Sequence, residues 1–187
     1  GGLGDDSLHA GSGHDFLNGD EGIDRLDGGS GDDRLLGGAH NDQLIGGSGA
    51  DQLIGGLGND TLVGNSGNDT YQFARGDGED TIQDVDVFVG NQDRALFETT
   101  INPLDLILSR QANDLRLAIH GSADQVTVKD WYLGRTNHIE TIQAGNGEIL
   151  LSTQVNQLIQ AMAAFSQQSG LTWDQAIDQR PQDVQTV

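Results

Sequence analysis

Residues 46–62 read GGSGADQLIGGLGNDTL, in which two adjacent glycines recur after nine residues and an aspartate follows each pair. Cutting the chain into nonapeptides from Gly1 gives eight consecutive units that keep one phase over residues 1–72. Position four is glycine in seven units, position six is aspartate in all eight, and position eight is leucine in seven. A fixed phase of this kind indicates a stacked repeat, in which each unit buries its apolar side chain only against its neighbours.

The turn chemistry of the unit continues a little beyond this array. A ninth unit, RGDGEDTIQ, follows a two-residue slip and places these residues at positions two, four, six and eight: Gly76, Gly78, Asp80 and Ile82. Glycine at positions two and four permits a positive φ, which most side chains avoid. The residues that replace it there, Asp20, His40 and Asn65, are types that tolerate left-handed backbone. The pattern therefore predicts a tight turn with positive φ in every unit.

The units resemble the GGxGxDxUx nonapeptide of the RTX (repeats-in-toxin, haemolysin-type calcium-binding) family. The resemblance covers residues 1 to about 84 and is specific, because the phase, the aspartate and the apolar position repeat together. It implies a right-handed parallel β-roll in which each unit is half a coil, with six residues in the turn and three in a short strand. The expected fold class is all-β with a small helical tail.

Two units per coil would place position six of each unit beside position six two units later. Strands in neighbouring coils lie about 4.8 Å apart, and two carboxylates so close repel each other unless a cation lies between them. An oxygen cage suits Ca²⁺, whereas Mg²⁺ retains water and Zn²⁺ prefers nitrogen or sulfur. We therefore expect six calcium sites, at Asp6 with Asp24, Asp15 with Asp33, Asp24 with Asp42, Asp33 with Asp51, Asp42 with Asp60 and Asp51 with Asp69, and a weaker seventh at Asp60 with Asp80.

By the same resemblance, the remaining ligands are turn carbonyls at positions one to four. They include Gly2, Gly4, Gly11, Gly13, Gly22, Gly28, Gly29, Gly31, Gly37, Gly38, Gly46, Gly47, Gly49, Gly55, Gly56, Gly58, Gly64 and Gly67. The alternative is that the aspartates only form Asx turns in a metal-free solenoid. Asparagine and serine would serve in such turns, yet neither occupies position six in any unit.

The composition agrees with a cation-binding chain that has a thin core. Twenty-nine acidic and nine basic residues give a formal net charge of -20, and apolar residues make up 35% of the chain. This charge disfavours nucleic acid and anionic membranes as partners, and no apolar run is long enough to span a bilayer. Residues 1–84 hold 17 acidic and 3 basic residues, so we expect them to be disordered in calcium-poor cytosol and to fold on binding Ca²⁺ outside the cell.

After residue 84 the nonapeptide phase gives way to plain strand alternation. The candidate strands are 86–89, 94–98, 104–110, 114–120, 124–133, 138–145 and 148–153. The stretches DGEDTI, DWY and HIETI resemble the β-rich segment that closes RTX arrays in secreted proteins. We expect residues 85–151 to form a conventional sheet that caps the open end of the roll, where unpaired backbone groups and apolar surface need covering.

Residues 152–187 are predicted to form a helical tail. An apolar stripe recurs at helical spacing: Val155, Leu158, Ile159, Met162 and Phe165. Ser152 and Thr153 are N-cap candidates, Gly170 ends the run, and a second helix begins at Thr172 with a capping box to Gln175. The stripe carries no basic residue, which favours docking on the cap over membrane attachment. Type I secretion substrates keep an uncleaved export signal at the carboxyl end, so the tail is a candidate part of one.

No catalytic motif is present. HExxH, GxSxG, GxGxxG and P-loop patterns are all missing from the chain, so any catalysis is expected to lie in residues outside it. The tripeptide RGD at residues 75–77 is interpreted as a chance product of the repeat. His40 is interpreted as a turn residue, and Trp131 with Tyr132 as a core pair rather than a sugar-binding surface.

The favoured function is that of a calcium-binding domain of a secreted bacterial protein. The chain opens on Gly-Gly in mid-pattern, and we expect it to be part of a longer protein. It would fold on Ca²⁺ binding, assist type I export through transient contact with the secretion machinery, and stabilise the segment upstream. Two alternatives stay open: a calcium-rigidified module of a cell-surface adhesin or polysaccharide-interacting protein, and an accessory domain of a secreted protease, lipase or epimerase.

Overall fold

The structure, a computed structural model, describes residues 1–85, 90–134, 137–179 and 181–184; the candidate strand 86–89 lies outside these residues. The strands are Gly2–Leu3 (β1), Ser7–Ser12 (β2), Phe16–Glu21 (β3), Arg25–Ser30 (β4), Arg34–Ala39 (β5), Gln43–Ser48 (β6), Gln52–Leu57 (β7), Thr61–Ser66 (β8), Thr70–Phe73 (β9), Glu79–Ile82 (β10), Arg94–Phe97 (β11), Leu106–Gln111 (β12), Asp114–Ile119 (β13), Gln125–Val128 (β14), Thr141–Gln143 (β15) and Ile149–Leu151 (β16). The helices are Val155–Ser169 (α1), Trp173–Gln179 (α2) and Pro181–Val184 (α3).

The first nine units form two stacks of parallel strands. Odd-numbered strands β1 to β9 pair in the first sheet, and even-numbered strands β2 to β10 pair in the second. Through β8 and β9 the register advances by 18 residues, so that Leu26 lies beside Leu44 and Leu35 beside Leu53. Two nonapeptides therefore complete one coil, which confirms the parallel β-roll that the family resemblance implied.

The paired segments are longer than the family resemblance implied. Strands β2 to β8 are six residues each rather than three, because pairing resumes past position one of the next unit. In β4 and β6, for example, Gly29 lies beside Gly47 and Ser30 beside Ser48. The coils that contain β2 to β8 all have the same length, so each glycine segment stays in register with that of the next coil and extends the hydrogen-bonded ladder.

The core of the roll is one column of side chains from each sheet. The position-eight residues Leu26, Leu35, Leu44, Leu53, Leu62 and Tyr71 are fully buried. Alternation along each short strand turns position eight inward and positions seven and nine outward. One apolar residue per nine therefore fills the space between the two sheets.

Residues 94–151 extend the two sheets of the roll instead of forming a conventional sheet of their own. β11 pairs in parallel with β9, β14 with β10, and β15 with β11. The register keeps Ala95 beside Tyr71 and Val128 beside Ile82, so the core columns continue although the glycines are gone. Antiparallel strands then end both sheets: β16 on β15, and β13 with β12 on β14.

Several predicted strands are shorter in the structure. The stretch 124–133 is a strand only over Gln125–Val128, and turns follow it with Asp130 at φ 56°. The stretch 138–145 is a strand only over Thr141–Gln143. In 124–133 the alternation of apolar residues stops at Lys129 and Asp130, and in 138–145 only Thr141–Gln143 finds partner strands.

The helical tail packs on this closing segment. The predicted N-caps Ser152 and Thr153 are wrong, because both lie in a 3₁₀ turn and Gln154 precedes α1 without a capping side chain. Gly170 ends α1 at φ 72°, and Thr172 and Gln175 exchange the two hydrogen bonds of the predicted capping box. The α1 stripe contacts the core, with Val155 and Met162 buried. Among the described residues, none of the helices is long and apolar enough to cross a membrane.

Candidate metal centre

The position-six aspartates form two ladders along the roll, one on each side. From Asp24 onward, each carboxylate accepts a hydrogen bond from the backbone N–H of the position-six residue one coil earlier; the Asp24 N–H donates to Asp42 Oδ1 and the Asp33 N–H to Asp51 Oδ1, both at 2.8 Å. The same bond joins Asp6 to Asp24, Asp15 to Asp33, Asp42 to Asp60, Asp51 to Asp69 and Asp60 to Asp80. The structure therefore brings together the two members of every pair expected from the sequence.

Among the described residues, seven of these carboxylates have a second oxygen without a protein donor. In the part of the chain that the structure describes, Oδ2 is buried without a hydrogen-bond partner in Asp6, Asp15, Asp24, Asp33, Asp42, Asp51 and Asp60. The last five of these residues are at most 3% exposed. Buried polar atoms are normally satisfied, and a buried carboxylate oxygen without a donor is costly. A whole column of such oxygens is the arrangement expected of metal ligands.

Position-one glycines form a cradle beside these oxygens. A Cβ atom on Gly37 would lie 2.5 Å from Asp42 Oδ2 and 2.5 Å from the carbonyl oxygen of Gly55. The two oxygens thus converge on the bare face of the glycine, and any side chain would fill the space between them. A side chain would also collide with the aspartate of its own unit at Gly28, Gly46, Gly55 and Gly64, and at Gly19, which the sequence analysis did not select.

Glycines at positions two and four shape the turn. Their φ angles lie between 95° and 146° at Gly2, Gly4, Gly11, Gly13, Gly22, Gly29, Gly31, Gly38, Gly47, Gly49, Gly56, Gly58 and Gly67. The substitutes Asp20, His40 and Asn65 adopt 74°, 80° and 70°, which confirms the predicted positive φ. Carbonyl groups here point along the stack, because a Cβ on Gly47 would collide with the Gly29 oxygen one coil earlier.

Several of the buried aspartates have pKa values above the usual range. Burial raises the pKa of Asp42 and Asp51 to about 6 and that of Asp60 and Asp80 to about 7. The hydrogen bond from the backbone N–H one coil earlier lowers each pKa, and the negative charge of that same residue raises it again. A cation between the carboxylates would offset both the desolvation and the repulsion.

The ladder that contains Asp69 continues to residues that the sequence analysis missed. The N–H of Asp69 donates to Asp93 Oδ1 at 2.8 Å, and the N–H of Asp93 donates to Glu140 Oε2 at 3.0 Å. Asp69, Asp84 and Asp93 are buried and can each place one carboxylate oxygen within 4.8 Å of the others. Asp93 stands two residues before the buried Ala95, the same spacing as Asp60 to Leu62, and this spacing was the available signal.

The RGD tripeptide and Trp131, which the sequence also singled out, make contacts within the fold. In the RGD tripeptide, Asp77 is 9% exposed and accepts a hydrogen bond from the Ala74 N–H, while Arg75 contacts Asp105, so the tripeptide is held within the fold. Trp131 is 2% exposed and stacks on His138 with ring centroids 4.3 Å apart, which makes it a core residue.

Comparison with known proteins agrees with this geometry. Residues 1–82 match the RTX calcium-binding nonapeptide repeat in four overlapping copies, at 1–26, 18–53, 36–71 and 45–82. The chain belongs to the RTX family. A further part of this RTX chain, residues 114–154, matches the haemolysin-type calcium binding protein related domain. It contains β13 to β16, of which β16 ends the first sheet.

One curated relative matches this chain over a small part of its own length. The RTX chain is 36% identical over 110 residues to the iron-regulated protein FrpA of Neisseria meningitidis serogroup C. The match covers 54% of this chain and 10% of FrpA, so the chain spans only a small part of that relative's length. The matched repeats describe a structural calcium-binding fold, and no enzyme family is indicated. The chain is thus a calcium-binding RTX-type domain.

Proposed function

We propose that the RTX chain holds calcium ions between consecutive coils and that this binding drives the folding of the roll. The observation that carries the proposal is the column of buried Oδ2 atoms without donors. In Asp6, Asp24, Asp33 and Asp42 this oxygen converges with the carbonyl oxygen of a position-one glycine of the next coil. Carboxylate and carbonyl oxygens are the ligands that Ca²⁺ prefers, in flexible sets of six to eight. The residues present therefore fit the ion that the family binds.

The proposed ligands follow the ladders. The carboxylates of the six aspartate pairs and of Asp60 with Asp80 would hold the ions, with turn carbonyls of positions one to four completing each set. The proposed number is six calcium ions, with a weaker seventh. The Asp60 to Asp80 contact spans 20 residues instead of 18 and its hydrogen bond is 3.0 Å long, slightly longer than the others.

The free energy of calcium binding at such sites is large enough to determine whether the roll folds. Extracellular calcium modules bind with dissociation constants of about 0.1 to 1 mM, so about 1 mM Ca²⁺ contributes roughly 0.4 to 1.4 kcal/mol per site. Six sites would add about 2.5 to 8 kcal/mol, comparable with the whole stability of a small domain. In calcium-poor cytosol this contribution disappears, and the buried carboxylates oppose folding.

We also propose that the chain belongs to a protein exported by a type I system. The family match and the excess of acidic residues in 1–84 support an unfolded passage followed by folding where calcium is abundant. In this proposal the roll spans residues 1–84, residues 85–151 close it, and residues 152–187 contribute to the export signal. The folded roll would then stabilise the segment upstream.

A calcium titration tests the folding proposal. Far-UV circular dichroism at pH 7.5 should show strand content rising with Ca²⁺, and isothermal calorimetry should count six or seven ions per chain. The same strand content with and without chelator would overturn the coupling. Mg²⁺ at equal concentration is the matched control and should restore much less structure.

A secretion assay tests the export proposal separately. A passenger fused to residues 1–187 should leave cells that carry a type I exporter, whereas the same passenger fused to residues 1–151 should remain inside. Undiminished secretion of the shorter fusion would contradict a role for the tail. The calcium titration of the shorter fusion shows whether the roll itself still folds.

A further inference from the structure

His120 directly follows β13 and lies between two carboxylates of the helical tail. Its Nδ1 is 2.6 Å from Asp174 Oδ1, and its Nε2 is 3.2 Å from Asp178 Oδ1. Asp174 and Asp178 are four residues apart on α2, so both side chains project from the same face of that helix. The imidazole is mostly buried, with 17% of its side chain exposed.

This geometry fits only the protonated ring. A neutral imidazole carries one N–H and one lone pair, whereas an imidazolium donates from both nitrogens. Here both nitrogens face carboxylate oxygens, so the neutral ring would point a lone pair at one of them. The negative charge of the Asp105 carboxylate also raises the proton affinity of the ring. The nearby Arg75 guanidinium binds Asp105 and the His120 carbonyl oxygen.

The helix that His120 contacts depends on docking for its stability. With seven residues, α2 is far below the length at which an isolated helix persists in water. Its apolar contacts are Trp173, 7% exposed and edge-to-face with Phe165 at 5.5 Å, and the fully buried Ala176. The two carboxylates facing His120 are more than half exposed and provide the polar part of the interface.

We propose that protonation of His120 latches α2 onto the β-rich closing segment, so that the tail docks firmly in acid and loosens as the pH rises. The hydrogen bond with Asp174 is the main cause that raises the pKa of His120, and the charges of Asp174, Asp178 and Asp105 add to it. A raised pKa in the docked state means that the latch is complete below the ordinary value of about 6.5. It is lost as the pH rises through the docked value.

The proposal goes beyond calcium binding and does not depend on it. Asp174 and Asp178 lie in the segment proposed to contribute to export, and His120 lies in the segment that closes the roll. A pH-dependent latch would let the carboxyl-terminal helices dock on the closing segment or detach from it while the roll stays folded. It would respond to the acidity of the surroundings rather than to the concentration of an ion.

NMR of the calcium-loaded full chain tests this latch. The ring protons of His120 should titrate above pH 6.5, and the indole N–H signal of Trp173 should move with the same midpoint. D178N should lower that midpoint and shift the ratio of docked to undocked tail about two- to five-fold, as expected for a part-exposed ion pair. H120Q should remove the pH dependence of the Trp173 signal altogether.

Matched controls separate the latch from general effects. E21Q removes one exposed charge on the roll and should leave both midpoints unchanged. Far-UV circular dichroism of each variant in calcium verifies that the roll is folded. The latch is ruled out if His120 titrates at or below pH 6.5, or if the Trp173 signal keeps its pH dependence in H120Q. Neither outcome would affect the calcium proposal, which the titration of strand content tests independently.

Discussion

Replacing Asp51 by asparagine separates the role of its charge from the role of its shape. Asp51 is 2% exposed; its Oδ1 accepts a hydrogen bond from Asp33 at 2.8 Å, and its Oδ2 has no donor. Asparagine keeps the size and the accepting oxygen. It places an amide NH₂ group where the proposed calcium ligand was, and it removes one negative charge.

The expected effect has opposite signs with and without calcium. Asp51 belongs to two proposed sites, with Asp33 and with Asp69, so D51N should cost roughly 0.8 to 2.8 kcal/mol of unfolding free energy in about 1 mM Ca²⁺. Without calcium the variant loses a carboxylate whose pKa burial raises to about 6. Removing that buried charge should leave the calcium-free protein equally stable or more stable.

Urea unfolding followed by far-UV circular dichroism measures the effect in 1 mM Ca²⁺, and the strand content in excess chelator without urea measures the effect on the calcium-free protein. The matched control is D27N, which removes the same charge from an outward-facing side chain near His9 and Arg25. D27N should change stability by less than about 0.5 kcal/mol in either condition. If D51N loses no more than D27N in calcium, or loses the same amount in chelator, Asp51 acts through packing or hydrogen bonding and the metal assignment fails.

Three further outcomes are expected. Because the raised pKa values of about 6 to 7 favour protonated aspartates in the folded roll, the calcium-free protein should gain strand content as the pH falls from 7 to below 3.8; unchanged circular dichroism across this range would contradict it. L44A should lose about 2 to 5 kcal/mol in thermal unfolding, while the exposed Q43A should lose less than about 0.5 kcal/mol. G37A should raise the calcium concentration needed for folding by filling the cradle, whereas G121A, strained by its φ of 76° but with open space around it, should leave that concentration unchanged; equal effects would show that the cradle is not used.

The repeat was predictable because its contacts follow a single period. The positive φ at Asp20, His40 and Asn65, the parallel coils and the leucine columns all follow from residue types at fixed positions of nine. The facing aspartate pairs follow as well, since equal coil lengths bring position six back to the same place. One prediction was wrong even within the periodic units. The three-residue strands implied by the family were too short, because the sequence pattern does not show how far backbone pairing continues.

The closing segment was less predictable because its coils differ in length. Thr70 pairs with Arg94 and Arg94 with Thr141, so successive steps span 24 and 47 residues. No fixed spacing marks such partners in the sequence, and Asp93 therefore escaped notice although it continues the aspartate ladder. The N-caps of α1 failed for a related reason: Ser152 and Thr153 are suitable residue types, but the chain leaving β16 makes a 3₁₀ turn there.

By itself the sequence determined the period, the turn chemistry, the buried leucine columns and the ion that the facing oxygens suit, because each depends on residues within one unit or one uniform coil. Only the tertiary structure decided where the two sheets end, that Asp84 and Asp93 join Asp69, and that His120 meets Asp174 and Asp178 on α2. Those contacts join residues separated by connections of unequal length. The length and path of each connection determine where the chain rejoins the sheets and therefore which residues meet.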